Sequence, residues 1–300
     1  MNILLLNVEP CKPEVVACNV STYQKTKNRQ MKMKSALALV LTCLSLSSVL
    51  ALNPQKEYKM RPEKFGMNFK EEKIATKDGA SLNSWYFANP KPVPNYIIIS
   101  GSGDGNMGDY LELIQQFVSA GYNVMAYDYR GYGSSSDFKI DPDVYIYSQF
   151  YTDLNAVMDH LRKTFSITKM DLWGLNIGAG ISLGVAANRS ETRKVIADGP
   201  WISLEKMKLK MKQKYSKDVI IPFNYDKNYE PVYGLAKNPV HLKGILVVIT
   251  PNDELIGPLD VKGISGVTDT YIVKTSMSNK DNFSTDKNAY FEKVKAFLRN

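Results

Sequence analysis

From residue 69 onward, apolar residues fall into short runs separated by stretches long enough to hold a helix. Two segments come first, Glu72 to Thr76 and Leu82 to Phe87, joined at Lys77-Asp78-Gly79, a turn sequence that predicts an antiparallel pair. Tyr96-Ile97-Ile98-Ile99-Ser100 has no polar face and reads as a strand buried on both sides. Tyr110 to Ala120 and Phe150 to Arg162 repeat their apolar positions at helical spacing, with strands expected at Asn123 to Tyr127 and Lys169 to Trp173. Ile177 to Ala187 is small and aliphatic throughout, as suits a helix packed on every side. Lys194 to Ala197, Ile245 to Ile249 and Thr270 to Val273 add three strands, and Phe291 to Leu298 a closing helix. This alternation predicts an α/β fold with a doubly wound, mostly parallel sheet.

Between Pro200 and Leu242 the alternation breaks, and a small cap is expected at about 200–242, between the strands near 197 and 245. An open sheet places its ligands above the strand C-termini, where such an insertion would lie. Leu204, Met207, Met211 and Tyr215 recur at helical spacing inside it, with Lys206, Lys208, Lys210, Lys212 and Lys214 on the other faces, read as solvated.

The N-terminal pattern differs. Lys32 and Lys34 precede an apolar stretch from Ala36 to Leu46, and Val49-Leu50-Ala51 supplies short residues ahead of a cut after Ala51. A signal peptide is therefore expected at 31–51, with 1–30 an upstream extension before a true start at Met31 or Met33 and the α/β domain at 52–300. An uncleaved anchor is the alternative, disfavoured because Thr42, Ser45, Ser47 and Ser48 dilute a short apolar run. Cys11, Cys18 and Cys43 are the only cysteines and all precede the cut, so the processed chain has no disulfide. Exported and thiol-free suggests a periplasmic or secreted protein of a bacterial envelope. The first 51 residues hold six of the 38 Lys and Arg and two of the 30 Asp and Glu, leaving 32 against 28 and a net +4. That is too mild to argue for nucleic acid.

Between the strand ending at Trp173 and the helix beginning at Ile177 stands Gly174-Leu175-Asn176-Ile177-Gly178. Glycines around a sharp strand-to-helix turn raise the central side chain over the sheet, the outline of a nucleophile elbow. Its centre is asparagine, whose amide has no removable proton and no basic lone pair, so it cannot begin covalent hydrolysis.

With this elbow, the strand order, and Asp128-Tyr129-Arg130-Gly131-Tyr132-Gly133 followed by three serines, the chain resembles the α/β-hydrolase superfamily, in its single-domain serine hydrolase branch. The resemblance runs from about Glu72 to the C-terminus. It implies an oxyanion hole after the first long parallel strand, where His-Gly is replaced by Ser100-Gly101-Ser102-Gly103-Asp104-Gly105. Gly101, Ser102 and Ile177 occupy that hole's positions, with N–H donors expected from Ser102 and Ile177. It implies a triad acid at Asp253, within Pro251-Asn252-Asp253-Glu254-Leu255-Ile256-Gly257-Pro258, and a histidine near Ser278-Asn279-Lys280-Asp281-Asn282-Phe283. Lys280 takes that slot, within about one residue, and is expected to neutralise Asp253. Asp104 is expected to turn its loop. His160 and His241, the only histidines, fall away from the elbow and read as structural.

Two of three triad positions are thus substituted, and the expected function is a degenerate hydrolase fold that binds a small molecule or a protein partner, with no cofactor and no metal. The alternative is an active ester or acyl hydrolase built on Ser102 or Ser278, Lys280 and Asp253.

Overall fold

The computed structural model describes residues 52–299 except 224 and 263. The expected extension and signal segment lie outside the described residues. In chain order the strands are β1 Asn53–Pro54, β2 Lys70–Ala75, β3 Ser81–Phe87, β4 Tyr96–Ser100, β5 Asp104–Gly105, β6 Asn123–Tyr127, β7 Met170–Leu175, β8 Thr192–Asp198, β9 Gly244–Ile249 and β10 Val267–Ile272. Eight of them form one sheet in the order β10-β9-β8-β7-β4-β6-β3-β2. The β2–β3 and β3–β6 pairs are antiparallel and the rest are parallel. Strand order reverses around β4, where an open α/β sheet forms its crevice.

The central strands β6, β7 and β9 are buried at every position, which is why they read as unbroken apolar runs. β10 begins three residues before the expected Thr270 because it is an edge strand: Thr268 and Thr270 are exposed, so its first half carried no apolar signal. Four longer helices pack on the sheet, α1 Leu111–Ser119, α2 Gln149–Phe165, α3 Ile177–Asn188 and, after the segment that holds α4 Leu204–Tyr215, α5 Lys287–Arg299. α3 is buried from Ile177 to Ala186. A Cβ on Gly178 would stand 2.3 Å from the Ser100 carbonyl oxygen, so only glycine lets the helix approach β4.

The Asp-Tyr-Arg-Gly-Tyr-Gly segment braces the loop that leaves β4. Arg130 binds Asp153 and Asp78 through its guanidinium, while its backbone N–H donates to Asp153. Asp128 accepts the Met107 N–H at 2.7 Å, and the Tyr132 hydroxyl donates to the Gly103 carbonyl at 2.9 Å. A pairing with no sequence signal reinforces the same loop: β1 runs parallel to β5, with Asn53 opposite Asp104. No helix of the described residues is long and apolar enough to cross a membrane.

Candidate functional site

Asn176 occupies the turn between β7 and α3 at φ 48° and ψ −106°, a backbone conformation that non-glycine residues rarely hold. Its N–H donates to the Asp198 carbonyl at 2.8 Å, which fixes the turn to the end of β8. The carboxamide is half-buried and forms no capping bond to its helix. Trp201 closes the far side, its indole N–H on the Ile177 carbonyl at 3.3 Å and its ring filling the space beside Gly180.

Asp253 stands in the loop after β9, and its carboxylate is fully engaged. Oδ1 accepts the N–H groups of Leu255 and Ile256, both at 3.0 Å. Oδ2 accepts the Ser278 hydroxyl at 3.2 Å and the Asn279 N–H at 2.9 Å. Lys280 does not neutralise it, contrary to the expectation from sequence. Its ammonium binds Asp104 Oδ2 at 2.7 Å instead, and both side chains are part-exposed.

The loop position beside both the elbow and the acid is Asn279. A Cβ on Gly199 would lie 2.5 Å from the Asn279 Cβ and 2.7 Å from Asn176 Oδ1, so the two asparagines flank the same spot. Of the residues around the expected histidine position, it is Asn279, one residue before Lys280, that lies beside Asn176. The reason is the short helical turn at Asn279–Asp281, which sends consecutive side chains in different directions and which spacing alone cannot phase. Asn279 is fully buried: Oδ1 accepts the Thr250 N–H at 2.9 Å and Nδ2 donates to the Ile256 carbonyl at 2.8 Å. A neutral amide locked this way cannot act as a base.

The expected oxyanion donor is also committed elsewhere. The Ser102 N–H donates to the Tyr110 hydroxyl at 2.7 Å, which in turn donates to Ser102 Oγ at 3.1 Å. Tyr110 is buried against Trp173, and burial pushes its hydroxyl up to about 12, so it stays neutral. Behind Gly101 and Gly103 remains a cavity of about 10 Å³, about the size of a single water. Asp104, expected to turn the loop, lies instead in β5, and its carboxylate takes Lys280 and the Asn53 side-chain amide. Burial alone would raise its pKa, but the Lys280 charge and hydrogen bond hold it below the usual carboxylate range. Ile177, first residue of α3, is the one expected donor whose N–H faces no protein acceptor among the described residues.

Reading the sequence missed the residue beneath the elbow. Asp198, at the end of β8, accepts Asn282 Nδ2 at 2.7 Å and the Tyr290 hydroxyl at 2.9 Å, and Tyr290 accepts the Trp173 indole N–H. Burial drives its pKa up to about 7, the hydrogen bonds offset part of this, and the Asp253 charge adds to it. An unfolded aspartate ionises near pH 4, so between about pH 4 and pH 7 the folded chain keeps a proton that the unfolded chain has lost. Stability through this group is therefore greatest at low pH and declines as pH rises through that window. Asp128, also raised to about 7 by burial, acts in the same direction. Asp198→Asn is expected to flatten the decline and to exceed the parent in stability at pH 8, measured by urea unfolding at pH 5 and pH 8. An unchanged slope would remove Asp198 from this account. The only sequence signal for it was a carboxylate ending an apolar strand.

Neither histidine lies at this site. His160 pairs with Glu72 at 2.7 Å and His241 meets the Ala186 carbonyl at 2.8 Å. Ser135 and Ser136 are staples to the backbone of β3. No cluster of three metal-ligating side chains occurs among the described residues.

This fold has counterparts among known proteins. The family model described as serine aminopeptidase, S33, matches residues 91–233, from just before β4 through the elbow into the cap. The match covers a little under half of the chain, and the fold is that of the α/β hydrolases. An esterase of Pyrococcus furiosus superposes with a TM-score of 0.65 at 19% identity, over 83% of this chain and 96% of its own. An α/β hydrolase from a Penicillium species does so at 0.57 and 17%, over 78% and 98%. An acylaminoacyl peptidase of Pyrococcus horikoshii gives 0.59 and 12%, over 77% of this chain but 40% of that longer one. At these identities the likeness is one of fold, so what this chain does must come from its own residues.

Proposed function

We propose that this α/β-hydrolase-fold protein has lost hydrolytic chemistry and uses the crevice around Asn176 to bind a small molecule or a protein partner. The observation that carries the reading is that every group a serine hydrolase keeps available, except the Ile177 N–H, is replaced or occupied here. The nucleophile is an amide. The acid is saturated by four protein donors. The base position is a buried asparagine, and the Ser102 N–H is held by Tyr110. What remains for a ligand is polar and fixed: the Asn176 carboxamide and the Ile177 N–H, with Trp201 behind them.

The alternative site of Ser102 or Ser278, Lys280 and Asp253 has less in its favour. A lysine base must be desolvated and neutral, whereas Lys280 is part-exposed and paired with Asp104. Ser102 Oγ faces the Asp104 backbone. Export remains part of the proposal, resting on the charged and apolar pattern of residues 31–51, and N-terminal sequencing of the protein from its native host tests it. The test of the main reading is labelling with a fluorophosphonate probe beside an active hydrolase. No labelled serine and no aryl-ester turnover are expected, and a labelled Ser102 or Ser278 would restore the enzyme reading.

A further inference from the structure

The cap carries a surface that the crevice does not use. On α4, Leu204, Met207 and Met211 are buried. At 100° per residue Leu209 then points directly away from the core, and it is 54% exposed. Lysines run along both of its sides: Lys206 and Lys210 on one, Lys208 and Lys212 on the other. Each row leads to a neighbouring segment that lifts apolar side chains into solvent. Lys208 and Lys212 hold Asp218, at 2.9 Å and 3.8 Å, in the segment that continues to Ile220 and Phe223. Lys210 binds the Leu255 carbonyl at 2.7 Å and pairs with Asp260, next to Leu259. Phe223 is 95% exposed and Leu259 84%.

Charge is concentrated on the same element. Residues 203–223 hold six lysines against Glu205 and Asp218, a net +4, equal to the net charge of residues 52–300. Glu254, Asp260 and Asp143 pair with Lys214, Lys210 and Lys217 from neighbouring loops. Lys206 has no ion pair among the described residues, and Lys208 and Lys212 share one carboxylate.

We propose that this outer face of the cap docks on the surface of an anionic phospholipid bilayer, with Phe223, Leu209 and Leu259 dipping between headgroups and the lysine rows against the lipid phosphates. Protein interfaces are depleted in lysine and gather apolar residues into a central patch. Here lysines separate exposed apolar side chains on a helix and two flanking segments, the arrangement of an interfacial helix whose lysine stems lie along apolar surface with their charges at the phosphates. The docking is independent of whether the crevice binds a ligand.

Phe223→Trp in the full chain reports from the contact itself, and its exposure makes the change harmless to folding. The signal is the difference from the parent, whose Trp85, Trp173 and Trp201 are buried. Emission of the introduced indole is expected to shift to the blue, and to be quenched by brominated lipid, on vesicles of phosphatidylcholine with phosphatidylglycerol, and to revert in high salt. Adding Lys206→Glu and Lys212→Glu is expected to weaken partitioning about twentyfold or more, each lysine near an anionic surface contributing on the order of a factor of five. Leu209→Asp is expected to reduce it without removing its salt dependence. An unshifted indole emission at low salt overturns the proposal. So does sedimentation with vesicles while the introduced indole stays unquenched, which means attachment elsewhere on the chain, and so does equal partitioning into neutral vesicles.

Discussion

Asn176→Ser combined with Asn279→His is expected to supply a hydroxyl, an imidazole and a carboxylate around one turn and still to hydrolyse aryl esters at least about a hundredfold more slowly than an active hydrolase control. The deficit arises at the loop after β4. A developing oxyanion needs the Ser102 N–H together with that of Ile177, and the Ser102 N–H is donated to the buried Tyr110 hydroxyl. Loss of one such donor costs roughly 10²–10³ in rate. The loop cannot swing to free it, because Tyr132 and Asn53 both hold the Gly103 carbonyl, and Asn53 and Lys280 hold Asp104. The new imidazole must also vacate the bonds from Asn279 to Thr250 and Ile256, leaving buried backbone groups to find other partners. Single-turnover hydrolysis of p-nitrophenyl acetate measures the rate, with circular dichroism to verify folding. Turnover within about tenfold of the control would mean that the oxyanion geometry is intact and that only two side chains separate this chain from an esterase.

Arg130→Met is expected to cost roughly 3–5 kcal/mol of stability at neutral pH, a sizeable fraction of what keeps a domain folded. The guanidinium binds Asp153, which is wholly buried, and also reaches Asp78. Burial pushes Asp153 up to about 6, with Arg130 opposing the rise. Without the arginine, Asp153 has only the residue 130 N–H left of these partners, and an unpaired buried charge remains at pH 7. The raised pKa also sets how the loss depends on pH. Without Arg130 to oppose burial, the carboxyl of the variant takes up a proton at higher pH than that of the parent, so the gap between parent and variant should narrow on acidification. Thermal melts at pH 5 and pH 7.5 check this, at roughly 2–4 °C per kcal/mol for a domain of this size. Asp153→Leu added to Arg130→Met is expected to recover part of the loss, and a variant as stable as the parent would refute the bracing role given to the whole Asp-Tyr-Arg-Gly-Tyr-Gly segment.

These expectations divide along what the sequence made legible. The order of strands and helices was readable because central strands buried on both faces leave uninterrupted apolar runs, and the cap helix was readable because Leu204, Met207 and Met211 keep a 3.6-residue period. Asn176 was readable because glycines must surround so strained a turn. The edge strand β10 was shortened and β1–β5 went unseen, since neither buries a continuous apolar face.

The site was legible only in part. Asp253 and Lys280 were named, but no local pattern states whether a lysine will turn toward Asp253 or toward Asp104, 176 residues earlier in the chain. The same holds for Asn279, one position away, and for Tyr110, whose aromatic ring reads as ordinary helix core until its hydroxyl meets the Ser102 N–H. By itself, then, the sequence determined the fold and the absence of serine at the elbow, because burial periodicity and residue chemistry are local properties. Tertiary structure alone decided which groups are already spent, because hydrogen-bond partners are chosen by three-dimensional proximity between segments that the sequence keeps far apart.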